Sequence, residues 1–172
     1  GSLREGMTGS GRVVLMQGLS LVEHLYKEPL VRPMSDIDLY LPDGNFADVC
    51  ECLRKNGFAP YKAYHRVWTR KGFTIDLHED FWGAERIPAR AGLFRNTPLP
   101  IVASRIAPGY YIAPLETCAL HAAFHGIKHG FAKAIWLFDL LLLYRCGVNL
   151  AALGGRDSLI GPVAHLALVE AG

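Results

Sequence analysis

Two carboxylates, Asp36 and Asp38, stand in the run Met34-Ser35-Asp36-Ile37-Asp38-Leu39-Tyr40-Leu41, alternating with apolar residues. Side chains two apart on a strand share a face, so both acids point one way while Ile37, Leu39 and Leu41 point into a core. Neighbouring negative charges raise one another's pKa and oppose folding unless a cation lies between them. A divalent metal ion meets that need. The bland alternative is solvation at a strand end, or pairing with Arg32 or Arg66. Asp76 repeats the pattern between Ile75 and Leu77. If its strand lies beside that of Asp36, three carboxylates converge and offer the oxygen ligands that Mg²⁺ (or Mn²⁺) prefers. Two ions roughly 4 Å apart in such a site would clamp the attacking and leaving oxygens of a phosphoryl displacement.

Other residues carry chemistry with a structural reading beside them. Arg32, four residues before Asp36, can contact a phosphate or neutralise the acids. His78 shares a face with Asp76 and is read as site-adjacent, although a strand-end His is often only hydrogen-bonded. His121, His125 and His129 recur every fourth residue and form one helix stripe. That spacing can hold zinc, but no Glu follows His121, so capping and packing explain it better, with a polar stripe facing a cleft as the remaining option. Asp139, alone in an apolar run, is expected to cap or pair with Arg145 or a histidine of the stripe. Tyr61 to Lys71 interleaves aromatic and basic residues, which suits single-stranded nucleic acid but more often marks an exposed strand guarded by charge.

The elements that must position these groups fit one substantial core. The chain has 172 residues, 51% of them hydrophobic and 20% charged, with a net charge of +2, which gives no sign of a dedicated polyanion binder. Cys50, Cys52, Cys118 and Cys146 lack a zinc-type pair of pairs and read as reduced thiols in a cytoplasmic setting. No secretory signal is visible, Gly1-Ser2 looks like a cloning remnant, and the chain reads as a possible fragment. The apolar stretch from Ala134 to Val148 is broken by Asp139 and Arg145 and falls short of the ~20 residues of a membrane span.

Arg12 to Met16 reads as a strand ending at Gln17-Gly18, followed by a helix closed by Lys27-Glu28-Pro29. Leu30 to Ser35 is a loop into the Asp36 strand. Asp43 is expected to cap a helix carrying Phe46, Val49, Cys50 and Leu53, with Gly57 as its stop. Tyr64 to Thr69 and Phe73 to His78 read as a hairpin turning at Lys71-Gly72. Gly83 to Pro114 is expected to be mostly irregular, with β-prone pieces at Leu99 to Val102 and Tyr110 to Ile112. Helices follow at Leu115 to Lys128, Phe131 to Cys146 and near Leu159 to Glu170, broken at Gly130 and Gly147.

This order resembles the nucleotidyltransferase superfamily of DNA polymerase β: an apolar strand, a Gly with a small residue, Asp-x-Asp and a later third Asp. Gly18, the run Arg32-Pro33-Met34-Ser35-Asp36-Ile37-Asp38-Leu39, Ile75-Asp76-Leu77-His78, and the tail with His121 and Asp139 resemble the uncharacterised nucleotidyltransferase family over nearly the whole chain. The resemblance implies an α+β fold: a polymerase-β-like palm of mixed α/β sheet with helices packed on one face, then a C-terminal helical region. The implied division is a palm over 1–82, a crossing segment over 83–114 and a helical subdomain over 115–172.

It also implies Mg²⁺-dependent transfer of a nucleoside monophosphate from an NTP, such as ATP, to a hydroxyl on an acceptor; a small molecule, a protein side chain and an RNA end all fit that chemistry, with a small molecule the favoured one. Asp36, Asp38 and Asp76 would hold the metals, with Asp76 assisting deprotonation of the hydroxyl. Gly18, with Ser20 behind it, would let the backbone approach the triphosphate at a helix N-terminus, and Arg32 and His78 would lie against nucleotide or metal. The alternative is a weak or inactive member that binds a nucleotide or a partner, motivated by Gln17, where the family often has Lys, and by Gly18-Leu19.

Overall fold

The protein is described as a computed structural model over residues 11–28, 31–62, 64–83 and 99–149. The helix expected near Leu159 to Glu170 lies outside these residues. Within them the chain runs β1 (Val14–Leu15), α1 (Gln17–Leu25), β2 (Ile37–Tyr40), α2 (Phe46–Lys55), β3 (Ala59–Tyr61), β4 (Tyr64–Arg70), β5 (Phe73–His78), β6 (Val102–Ala103), β7 (Tyr111–Ile112), α3 (Leu115–Lys128) and α4 (Ala134–Arg145).

The strands form one mixed sheet in the order β3-β4-β5-β2-β1-β7-β6. β4 and β5 are an antiparallel hairpin whose turn residues Lys71 and Gly72 both have positive φ, 47° and 84°. Such a turn twists with the strands it joins. β5 then lies parallel to β2, in register Asp38↔Asp76 and Tyr40↔His78. A parallel neighbour requires a crossover, supplied here by α2 and the β3–β4 pair. The β-prone pieces of the segment after Gly83 become β6 and β7, and β7 extends the sheet parallel to β1.

Alternation along the strands divides the core. Leu39, Leu41, Ile75 and Leu77 are buried in one cluster with Val49 and Leu53 of α2. Met16, Leu21, Ala119, Phe124, Leu140 and Leu143 form a second cluster among α1, α3 and α4, and Tyr40 packs on it. Asp38 shares the strand face of Tyr40, so the acids meet the helical layer that α1, α3 and α4 build.

Helix ends follow the glycines. At Gly57, Gly130 and Gly147 the chain turns left-handed and donates back to the last helical turn, as in Gly57 N–H to Arg54 O (2.9 Å) with Phe58 N–H to Leu53 O (3.0 Å). After α3 this closure involves two residues, since Phe131 also has φ of 49° and donates to Gly126 O at 2.8 Å. Helix α4 therefore begins at Ala134 rather than at Phe131.

Asp43 does not cap α2. The N-cap is Asn45, without a side-chain cap bond, whereas Asp43 accepts the Arg12 backbone N–H at 2.7 Å and its Nε–H at 2.9 Å. Asp43 lies two residues too early to reach the helix N–H groups, and the guanidinium fork holds its carboxyl down to about pKa 2.

Candidate active site

The parallel register of β2 and β5 brings Asp38 and Asp76 side by side, and His78 follows two residues on along the same face. His78 Nε2 lies 2.8 Å from Asp38 Oδ1 and 3.7 Å from Asp76 Oδ2. One ligand atom from each of the three lies within 4.8 Å of the others, a set that can hold a metal ion. Asp38 is buried, while Asp76 and His78 are partly open. Burial above all, reinforced by the charges of Asp38 and Asp36, pushes the Asp76 carboxyl up against the opposing pull of His78 and Arg66. Burial alone would lower the His78 pKa, but the hydrogen bond with Asp38 and the charges of Asp38 and Asp76 outweigh it and raise it. A cation between the acids is thus what the local field favours.

Asp36 stands apart from this trio. It precedes β2, is exposed, and accepts a hydrogen bond from Ser35 Oγ at 2.9 Å. It nevertheless lines the same cleft, an open volume of about 940 Å³ bounded on the sheet side by Asp36, Asp38, Asp76 and His78.

The helical layer forms the rest of the cleft. Gly18 and Gln17 at the start of α1 line it, as do His125, Lys128 and His129 of α3 and Lys133 and Trp136 of the following turn and helix. Gln17 holds the left-handed region with φ of 43°, a strained conformation for a side-chain-bearing residue, at the first position of α1. The missing Cβ of Gly18 has a visible purpose: one placed there would lie 2.6 Å from Arg32 Nη1 and 2.7 Å from Met34 Sδ.

Arg32 is fixed from behind. Its Nε–H and one Nη2–H donate to the two oxygens of Asp139 at 3.1 and 2.6 Å, and Tyr26 O–H donates to the same carboxylate at 2.8 Å. Both Arg32 and Asp139 are buried. The partner of Asp139 is therefore Arg32, and neither Arg145 nor the histidine stripe. The guanidinium still borders the cleft. Arg66 is ion-paired with Glu79. Ser20 does not line this cleft: it is buried, its hydroxyl lies 2.9 Å from Cys118 Sγ, and it lines an adjoining, water-sized cavity of about 20 Å³ that shares Gln17, Arg32, His125 and Trp136 with the cleft.

The histidine stripe faces the cleft at its later end. His121 is buried against Phe81, and the His125 and His129 rings lie 4.5 Å apart with Trp136 at 5.0 and 5.5 Å. Burial, with neighbouring cations adding to it, pulls His121 and His125 down to about 3. They are neutral imidazoles at ordinary pH. On the hairpin, Lys62 sits over the Tyr61 ring and Arg70 over Phe58, so basic residues there stack on their own neighbours.

The sequence profile of the uncharacterised nucleotidyltransferase family matches residues 8–152. The chain belongs to that family. As a nucleotidyltransferase it is a transferase. No curated protein matches the chain. A solved structure, the solution structure of the antibiotic-resistance factor ANT(2'')-Ia, is similar at 11% identity over 94% of this chain and 76% of that one, with a TM-score of 0.47. Among the described residues of this nucleotidyltransferase, no helix is long and apolar enough to cross a membrane.

Sequence reasoning overlooked two contributors to the cleft, Lys128 and Lys133. Each sits beside a flagged feature, the stripe or the Gly130 break, but only the turn geometry points both into the site.

Proposed function

We propose that this nucleotidyltransferase moves a nucleoside monophosphate from a metal-bound NTP to a hydroxyl of an acceptor, with a small molecule preferred over a protein side chain or an RNA end. The observation that carries this reading is the parallel pairing of Asp38 with Asp76 beneath an open, partly basic cleft. The donor set fits a divalent ion: two carboxylates supply the oxygens that Mg²⁺ or Mn²⁺ favours, and the raised Asp76 pKa marks a charge deficit there. Asp38 and Asp76 would hold the ion, with His78 beside them and Asp36 reaching in from the rim. When bound, that ion supplies positive charge against the negative charge of the transferring phosphate.

The chain's own residues do the rest. Asp76, as a carboxylate of raised basicity, accepts the proton of the attacking hydroxyl. The acceptor oxygen forms a bond to the α-phosphorus, and the bond from that phosphorus to the bridging oxygen breaks, its electron pair leaving on pyrophosphate. Gly18 at the N-terminus of α1 gives the phosphates access to backbone N–H groups, and the Arg32 guanidinium is oriented beside it. His78 orients Asp38 through their hydrogen bond. A cytoplasmic setting is supported by the four cysteines, each a thiol rather than half of a disulfide.

The test is binding followed by turnover. Thermal shift with Mg²⁺ and each common NTP should show stabilisation that needs both components in the wild type and vanishes in Asp38→Asn with Asp76→Asn. Pyrophosphate release in the presence of hydroxyl acceptors then reads catalysis. Equal NTP stabilisation in the double variant would remove the acids from the mechanism.

A further inference from the structure

We propose that Gln17 is a specificity-determining residue for the acceptor: its amide holds a second, non-reacting hydroxyl at the mouth of the cavity that adjoins the cleft, so the acceptor is an uncharged polyol. The inference rests on the nucleotidyl-transfer reading above and deepens it by naming the class of acceptor.

Backbone geometry is the first argument. β1 passes into α1 with Met16 alone between them, and the Met16 N–H still donates to Asp38 O at 3.0 Å. Gln17 makes the turn at φ of 43°, a conformation that glycine adopts freely and that a residue with a Cβ keeps only where something offsets its cost. A sharp strand-to-helix turn of this kind presents its side chain at the end of the sheet. Gln17 accordingly borders both the cleft and the cavity. It is half-buried, and among the described residues its amide has no hydrogen-bond partner. A strained residue that aims an unused amide into a cavity mouth is placed for a ligand rather than for the fold.

Charge is the second argument, and it selects the ligand. Arg32 and Asp139 balance one another at 2.6 Å. Cys118 S–H donates to Ala113 O at 3.2 Å and takes up the Ser20 hydroxyl on its sulfur, while burial pushes its thiol up to about 12. His121 and His125, held down to about 3 by burial first, are uncharged. The described groups around the cavity are therefore neutral or already balanced. An ammonium or a phosphate entering it would give up water with no opposing charge to meet it, whereas a hydroxyl needs only hydrogen bonds. The Gln17 amide both donates and accepts, as does the neutral His125 imidazole, and a hydroxyl uses both capacities where a phosphate oxygen uses one. Size agrees, since about 20 Å³ admits one water-sized group.

The experiment follows pyrophosphate release from an NTP with Mg²⁺ over neutral polyols: glycerol, ribose, glucose and inositol, each beside an amino, a phosphorylated and a monodeoxy counterpart. It compares the wild type with Gln17→Ala, which keeps the strained backbone, and Gln17→Gly, which relieves it. The wild type should use a neutral polyol with kcat/KM about tenfold or more above its charged counterparts and above the monodeoxy form that lacks the bound hydroxyl. Both variants should lose about 10- to 100-fold on that polyol and treat it and the monodeoxy form alike within about threefold. Their Mg²⁺-dependent NTP affinity, read by calorimetry, should stay within about twofold of the wild type. Gln17→Gly should melt at or above the wild-type temperature, which separates lost recognition from lost fold. Variants that keep the wild-type discrimination, a glycine variant that melts well below the wild type, or a wild type that prefers charged acceptors or uses none of the neutral polyols overturns the assignment while leaving nucleotidyl transfer intact. A wild type without Mg²⁺-dependent NTP binding overturns the transfer reading and the assignment with it.

Discussion

Replacing Asp139 by alanine leaves the buried Arg32 guanidinium, at the border of the cleft, without the carboxylate that pairs with it. Asp139 is 1% exposed and Arg32 7%, so the pair is held largely out of water where α4 meets the loop before β2. The substitution removes both acceptors of Arg32 and the acceptor of Tyr26, whose hydroxyl pKa is raised by burial and by Asp139. Deleting one partner of a buried pair costs about 3–5 kcal/mol, against at most ~1 kcal/mol for an exposed pair. For a chain of 172 residues the larger figure corresponds to a fall in melting temperature of roughly 6–20 °C. Urea unfolding and thermal melting should be measured on Asp139→Ala, on Asp139→Asn, and on Asp139→Leu combined with Arg32→Met. The asparagine variant keeps an acceptor for Tyr26 and should fall between wild type and alanine. The double apolar variant should recover most of the loss, because no charge is left buried. Raising the salt to about 1 M should leave the alanine penalty nearly unchanged, since a buried pair is weakly screened. A penalty under ~1 kcal/mol, or one that disappears in salt, would refute the interior pairing.

Gly126→Ala should displace the Phe131 ring and cost about 1–3 kcal/mol in urea unfolding, and Phe131→Ala combined with it should regain part of that loss. Acid should destabilise the protein from near pH 6.5 downward, before most carboxylates titrate, because His121 is held at about 3 in the fold while the unfolded chain takes up its proton near 6.5. In that window the unfolded state binds more protons, stability falls with falling pH, and His121→Phe should flatten the slope of stability against pH between about 6.5 and 3. His78 has the opposite sign: its raised pKa gives stability that is complete below its unfolded value and is lost as pH rises through the folded one, so His78→Gln should remove a decline just above pH ~6.5 in metal-free protein. Asp76→Asn should abolish turnover while the fold persists, checked by an unaltered far-UV spectrum and by pyrophosphate release.

Local pattern carried much of this fold. Alternation of Ile37, Leu39 and Leu41 with the acids fixed the buried face of β2, Lys71-Gly72 marked the hairpin, and Gly57, Gly130 and Gly147 marked helix ends, because each rests on a backbone property of the residue itself. What could not be read were partners distant in the chain. Arg32 meets Asp139 across 107 positions, and Asp43 turns to Arg12 across 31 instead of serving the helix beside it. Local propensity permits both choices for Asp43, and a tertiary ion pair decides. The same limit applies to the site. Spacing alone paired Asp36 with Asp38, whereas the register of β2 with β5 assembles Asp38, Asp76 and His78 and leaves Asp36 at the rim. Ser20, read behind Gly18, turns inward to Cys118, a choice set by the packing of α1 on α3.

Because β2 and β5 run parallel, no hairpin can bring Asp38 to Asp76; the chain must first complete the crossover through α2, β3 and β4. Loop closure over that distance carries its entropy cost before any contact between the acids exists, which makes this pairing one of the slower events expected in folding. A divalent ion that needs both carboxylates therefore has no site in a partly folded chain. An ion held there as proposed would draw the folding equilibrium toward the native state by mass action, and its binding would report that the crossover has closed.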